Sequence, residues 1–210
     1  MKKIVIVGGG SFIKNIINYI ENNPDFEIIG YTDVEDHGIF LGVPYIGTDD
    51  VLSSLFTQGV KNAVVGVGNQ LNDYTLKEKI TNKVLALGFV IPTLYGQNMV
   101  IHRDVKIGEG CIIRDGANIQ AGCVIKPHVI IGDRAIVTHD TIIESYAQVV
   151  SGAIVGRECH LGKGTFVGYG AIILNGIQTA ERTLIGANSL INKSCTVEGG
   201  RYLGSPAVLK

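Results

Sequence analysis

Ile101-His102-Arg103-Asp104-Val105-Lys106-Ile107-Gly108-Glu109-Gly110-Cys111-Ile112-Ile113 opens a register that runs on to Leu203. Every sixth residue from Ile101 is aliphatic, through Ile119, Ile125, Ile131, Val137, Ile143, Val149, Val155, Leu161, Val167, Ile173, Ile185, Ile191 and Val197. Thr179 is the one exception among eighteen positions. Two places earlier runs a second phase of mostly small residues: Cys111, Ala117, Cys123, Ala135, Ala147, Ala153, Cys159, Ala171, and later Thr183, Ser189 and Cys195. A helical repeat of 3.6 residues cannot hold such a phase. A fixed period of six marks a parallel β-helix, in which each short strand buries one large side chain and then turns a corner. Gly108, Gly132, Gly156, Gly162, Gly168 and Gly186, one place after the large aliphatic, suit tight turns where backbones approach closely.

Ahead of this register the pattern changes. Lys3–Val7 reads as a buried parallel strand ending in Gly8-Gly9-Gly10-Ser11. Ile13, Ile16, Ile17 and Ile20 recur at helical spacing and stop near Asn22-Asn23-Pro24. Phe26–Tyr31 is a second strand with Asp33 just beyond it. Past Gly42-Val43-Pro44, Asp49 or Asp50 is placed to cap a short helix to Phe56. Asn62–Val67 is a third strand reaching Gly68-Asn69, and a longer helix follows from about Asp73 to Leu87. Strands alternating with helices predict a Rossmann-like α/β domain over residues 1–95, with the all-β parallel β-helix over 96–210.

The chain has 210 residues and a net charge of −1, with its basic residues scattered, which argues against a nucleic-acid partner. Met1-Lys2-Lys3 before Ile4–Val7 mimics an export signal, yet the apolar run ends at Gly8, far short of a signal core or a membrane span. A cytoplasmic location is the expectation. All four cysteines fall in the small interior phase. Cys123, Cys159 and Cys195 recur at 36 residues, two coils apart. At roughly 4.8 Å per strand layer that is about 10 Å, too far for a disulfide, so core packing is expected.

The glycine turn after the first strand suits a phosphate, because free amides at a helix N-terminus attract an anion. Gly8, Gly10 and Ser11 satisfy only part of a dinucleotide fingerprint, since Ile13 stands where the third glycine belongs. Asp33 stands where an acid often meets a ribose or base. A tight turn beside a solvated aspartate remains the simpler alternative.

The repeat half resembles the hexapeptide acyltransferases, whose strands coil as a left-handed triangular prism of three hexads per turn. On that basis the stretch makes between five and six coils, and its unbroken period extrudes no long loop. The whole chain is similar to a bacterial subgroup, the bacillosamine-type amino-sugar N-acetyltransferases and sialic-acid O-acetyltransferase-like proteins. Gly42-Val43-Pro44 leading to Thr48-Asp49-Asp50, Gly68-Asn69, and the closing Gly204-Ser205-Pro206-Ala207 carry the likeness. It implies a nucleotide-sugar acceptor held by the head through Gly8, Gly10, Ser11, Phe12, Asp33 and Gly68. It also implies acetyl-CoA as donor, lying between the prisms of a homotrimer and touching Gln148, Tyr169 and Ala187. No metal is implied. Two departures stand out: Ser11-Phe12-Ile13 replace the Gly-His-Gly of the family loop, and Gln148 stands where a second histidine is frequent. N- and O-acetylation share base and donor, so both stay open.

Of five histidines, only His139 lies mid-prism within Val137-Thr138-His139-Asp140-Thr141, where the family carries a histidine followed by an acid. The resemblance thus implies His139 as general base and Asp140 as its partner. His37, His102, His128 and His160 read as ordinary surface or packing residues. A zinc-dependent carbonic anhydrase can also be built on such a prism, but it needs a close histidine pair that is missing here. A binding scaffold would need no His–acid pair, and a nicotinamide oxidoreductase would leave the repeat half idle.

Overall fold

The computed structural model describes residues 1–210 and divides them into two compact units. The first comprises residues 1–68 and 75–94, and the second residues 69–74 and 95–210. No helix is long and apolar enough to cross a membrane.

The first unit is built on a parallel sheet of three strands, β1 (Lys2–Val7), β2 (Phe26–Thr32) and β5 (Asn62–Val65), in the order β2-β1-β5. Ile4–Val7 in the central strand are fully buried, as a run flanked on both edges requires. The helix α1 (Ile13–Glu21) buries Ile13, Ile16, Ile17 and Ile20 as their spacing demands, with Tyr19 beside them. Between β2 and β5 lie a short hairpin, β3 (Ile39–Phe40) with β4 (Val43–Pro44), and the helix α2 (Leu52–Thr57). The predicted cap of that helical stretch is corrected. A 3₁₀ turn over Asp49–Val51 precedes α2, and Thr48 caps it by accepting a hydrogen bond from the Asp50 amide. Asp49 instead accepts from the Thr32 hydroxyl at 2.8 Å. The helix α3 (Thr75–Ala86) completes the unit.

The second unit is a three-faced prism of two-residue strands. One face stacks Val100–Ile101, Asn118–Ile119, Ile136–Val137, Ile154–Val155, Ile172–Ile173 and Leu190–Ile191, each strand parallel to the one eighteen residues before it. The second residue of each strand points inward: from Ile113 to Val167 the large aliphatics are at most 1 % exposed. Burying each such side chain contributes about 1.5–3 kcal/mol, so the repeat is itself the core. Thr179 breaks the pattern in company with Ile177, a large residue in the small phase; both are buried, so the two have exchanged sizes. The Thr179 hydroxyl accepts from the Gly162 amide at 2.9 Å and pairs with the Thr165 hydroxyl at 2.8 Å, which satisfies it inside an apolar interior.

The expectation that the period never slips fails in the last coil. Ile185 pairs with Tyr202, seventeen residues on, and Thr179 with Cys195, sixteen on. Val197 is consequently 44 % exposed, and Tyr202 takes the packing place expected of Leu203. There the chain ends its coil as Arg201–Gly204 and folds back antiparallel with Ala207–Leu209.

The glycines one place after the large aliphatic do allow close approach: a β-carbon on Gly108 would lie 2.6 Å from the Pro127 nitrogen, and one on Gly168 2.6 Å from the Ala187 nitrogen. The left-handed corner residues lie two places further on. They include Gly122, Gly164 and Gly176, and also Asp140 and Tyr146. All four cysteines are buried and free. Burial raises the thiols of Cys123 and Cys159, and lifts Cys195 to about 11.

Candidate active site

The corner between Ile136–Val137 and Ile142–Ile143 is pinned from both neighbouring coils. The Asp140 amide donates to the Ala121 carbonyl at 2.9 Å, and the Glu158 amide to the His139 carbonyl at 3.1 Å. The hydroxyls of Thr138 and Thr141 donate to the Val155 and Gly156 carbonyls. Adjacent residues on a strand point to opposite sides, but Asp140 has φ of +59°, and that left-handed step turns its carboxylate toward the preceding side chain. His139 Nδ1 lies 2.9 Å from Asp140 Oδ2, with both side chains substantially exposed. A carboxylate at Nδ1 selects the tautomer protonated there and leaves Nε2 with a free lone pair, the state a general base requires.

The other histidines differ. His160 Nε2 lies 3.1 Å from Glu144 Oε1, a second histidine–carboxylate pair, formed through opposite ring geometry. In that pair the carboxylate occupies Nε2. His128 is buried and stacks on Tyr146 at 5.0 Å, while His102 lies exposed. No group of three histidine, cysteine, aspartate or glutamate side chains is arranged to hold a metal ion.

Tyr169 and Ala187 stand eighteen residues apart on one corner, joined by a hydrogen bond from the Asn188 amide to the Tyr169 carbonyl. Tyr169 is 62 % exposed. Gln148 lies on the strand Gln148–Val149 of the same sheet, half-buried, and its buried Oε1 has no hydrogen-bond partner. An amide oxygen left this way costs free energy until a donor reaches it.

In the first unit a pocket of about 320 Å³ is lined by Gly9, Gly10, Ser11, Lys14, His37 and Phe40, among others. Of the residues singled out in sequence, Gly10 and Ser11 line it. Gly8 is packed, with φ of +108°, and a β-carbon there would meet Val67 at 2.8 Å. Phe12 precedes α1 and its ring meets Tyr19 at 6.4 Å. Asp33 accepts the Gly9 amide at 2.5 Å through Oδ2 and the Val34 amide at 2.6 Å through Oδ1. It therefore shapes the glycine turn. Gly68 is exposed and does not line the pocket. Lys14, which no sequence motif marks, brings an ammonium to this pocket, and His37, expected to be an ordinary solvated residue, brings an imidazole.

Residues 69–74 supply what the sequence did not reveal. Within the second unit, the side-chain amide of Asn69 donates to the Tyr146 carbonyl at 2.6 Å, and that of Asn72 to the Arg182 carbonyl. Tyr74 stacks on Tyr146 with ring centroids 5.2 Å apart and donates its hydroxyl to Glu181. Burial first, and the Glu181 bond second, raise the Tyr74 phenol above its ordinary value.

An α/β unit followed by a hexapeptide prism with a histidine–carboxylate pair at a corner is an arrangement similar to that of the hexapeptide-repeat acyltransferases. Residues 3–84 match the PglD N-terminal domain family, and residues 95–183 the GMPPB C-terminal domain family. Among solved structures, the acetyltransferase domain of PglB from Neisseria gonorrhoeae is 25 % identical over 100 % of both chains, with a TM-score of 0.85. That same domain in complex with acetyl coenzyme A gives 26 % and 0.86, covering 100 % of this chain and 99 % of its own. PerB from Caulobacter crescentus, in complex with CoA and GDP-perosamine, is 25 % identical with a TM-score of 0.90, covering 99 % of this chain and 97 % of its own. The chain is similar to these acetyltransferases over its whole length, and its prism is the left-handed β-helix.

Proposed function

We propose that this protein transfers the acetyl group of acetyl-CoA to the amine of a nucleotide-linked amino sugar. The observation that carries the reading is the His139–Asp140 pair, held at 2.9 Å on a prism corner. His139 Nε2 takes the proton of the bound ammonium. The free amine attacks the thioester carbonyl, the tetrahedral intermediate collapses, and the carbon–sulfur bond breaks. The imidazolium releases that first proton to solvent; the neutral ring then takes a second proton from the attacking nitrogen and passes it to the departing CoA sulfur, giving an amide, a free thiol and one released proton. Asp140 holds the proton on Nδ1 and stabilises the imidazolium while it exists. No enzyme nucleophile is needed because the thioester is already activated; the buried thiols, with their raised pKa values, are poorly suited to the task.

In this reading the head pocket takes the nucleotide. The amides of Gly10 and Ser11 just ahead of α1, with the Lys14 ammonium, suit a diphosphate. Gln148, with its unpartnered Oε1, and Tyr169 and Ala187, one coil apart on the same corner, take the donor. Copies of the chain associate as a homotrimer. One prism face leaves Val100, Ile136, Ile154, Ile172 and Leu190 as an outward ladder, with Val100 50 % and Ile172 40 % exposed. Closed threefold symmetry buries that ladder without leaving an open end.

Support for an amine acceptor comes from PerB, whose complex holds GDP-perosamine, an amino sugar. The test is a screen of GDP-, UDP- and dTDP-linked amino sugars with acetyl-CoA, following thiol release and product mass. The expected product gains an acetyl group on nitrogen. Release only with hydroxyl acceptors overturns the amine assignment.

A further inference from the structure

We propose that Gly122 is a positioning residue for the His139–Asp140 pair, an inference that rests on the reading of His139 as general base. Gly122 lies one coil before Asp140 on the same corner, eighteen residues earlier, and both are left-handed, with φ of +71° and +59°. A β-carbon built on Gly122 falls on Oδ1 of Asp140, well inside van der Waals contact, and lies 3.2 Å from its Cγ. The other oxygen of the same carboxylate is the one that meets His139 Nδ1 at 2.9 Å. The two oxygens are rigidly joined, so anything that displaces Oδ1 also moves Oδ2 away from the imidazole. The missing side chain at residue 122 is thus the space in which the carboxylate rests.

The backbone around Asp140 does not have to yield. Its amide is bonded to the Ala121 carbonyl, and the Gly122 amide to Asp104 Oδ2 at 3.0 Å. Asp140 is exposed and its side chain is short, so a methyl group at residue 122 swings the carboxylate and leaves the coil in place. Left-handed geometry alone would account for glycine here, because it is costly for a residue with a β-carbon. Gly176 separates that cost from the steric one. It occupies the same corner, 54 residues on, with φ of +70° and nothing within 4 Å of a β-carbon.

The experiment compares Gly122→Ala, Gly176→Ala and Asp140→Asn in the full-length protein. It reads kcat against pH, KM for acetyl-CoA, and the ring tautomer of His139 by nitrogen NMR. Charged groups near the pair are Asp104 below it, and Arg157 and Glu158 on the next coil, and none is altered by these changes. Gly122→Ala is expected to lower kcat about 10- to 100-fold, leave KM for acetyl-CoA unchanged, and move the His139 ring away from the Nδ1-protonated tautomer, as Asp140→Asn does. Gly176→Ala is expected to match wild type in all three. The double variant Gly122→Ala/Asp140→Asn should lose no more than Asp140→Asn alone. A Gly122→Ala protein whose His139 keeps the wild-type tautomer, while Asp140→Asn changes it, overturns the inference. If both change the tautomer but neither changes kcat, Gly122 positions the carboxylate and the general-base reading is what has failed.

Discussion

The ring of Tyr74 lies in the space that Gly164 leaves open: a β-carbon on Gly164 would fall on Cδ1 and Cε1 of that ring. His128, Tyr146, Gly164 and Arg182 occupy one corner at intervals of eighteen, all left-handed. His128 stacks on Tyr146, Tyr146 on Tyr74, and the Arg182 guanidinium lies 5.5 Å from the Tyr74 ring. A residue 90 positions away in sequence therefore completes the stack where the repeat has no side chain of its own.

From this the first prediction follows. Tyr74→Ala removes a buried ring and should destabilise the protein by about 3 kcal/mol. Tyr74→Phe loses only the bond to Glu181 and should cost about 1 kcal/mol. Gly164→Leu fills the slot from the other side and should cost as much as Tyr74→Ala, with little further loss when the two are combined. Urea denaturation measures all four; full additivity would show that the residues do not share a site.

This arrangement also marks what the sequence made legible. Period six located the prism, its interior residues and its coil boundaries, because each large aliphatic serves the same purpose in every turn. The pattern falls silent where a residue packs against something outside its own repeat. Gly164 reads as one more corner glycine, and nothing near Tyr74 announces stacking against residue 146. The last coil departs from the pattern for a related reason: Val197 and Leu203 keep the six-residue spacing in sequence, yet the chain drops a residue between Ile185 and its partner, and Tyr202 takes the interior place. In the head, spacing recovered the strands and α1, whereas Lys14 and His37 entered the pocket through loop geometry that periodicity does not encode.

The cysteines give a pH prediction. Burial raises Cys123 and Cys159 and carries Cys195 from 9.0 to about 11. The unfolded thiol ionises from about pH 9 upward, while the native one keeps its proton to about 11. The native state therefore binds more protons in that window, and stability falls as pH rises through it. Thermal melts should show a constant contribution from these thiols below pH 8 and a declining melting temperature between pH 9 and 11. Cys195→Ala should flatten part of that decline; an unchanged slope removes Cys195 as a cause.

The apolar ladder predicts the consequence of charging one face. Ile154 pairs with Ile136 and Ile172 at the centre of that face. Ile154→Glu places a carboxylate where the proposed trimer buries side chains, so sedimentation should show a monomer with unchanged far-ultraviolet dichroism. Turnover should fall with assembly, since the donor is proposed to lie between prisms. A trimeric Ile154→Glu protein means that another face carries the contact.

The final prediction concerns His139 against His160. Both meet a carboxylate, but through opposite nitrogens: Asp140 lies at Nδ1 of His139, at 2.9 Å, and Glu144 at Nε2 of His160, at 3.1 Å. The first arrangement leaves Nε2, the nitrogen at the tip of the ring, free to take a proton from a substrate, and the second engages that tip. His139→Ala should lower kcat by about 10²–10⁴-fold and leave assembly and acetyl-CoA affinity near wild type. Asp140→Asn should cost less, because the imidazole remains and loses only its orienting charge. His160→Ala should remain within about twofold of wild type, the scale at which removing an exposed ion pair passes unnoticed. Measuring kcat for the three variants across pH 6 to 9 decides between the histidines. If His139→Ala keeps near-normal turnover and His160→Ala loses it, the base is His160, and the geometry at Nδ1 of His139 has no part in the chemistry.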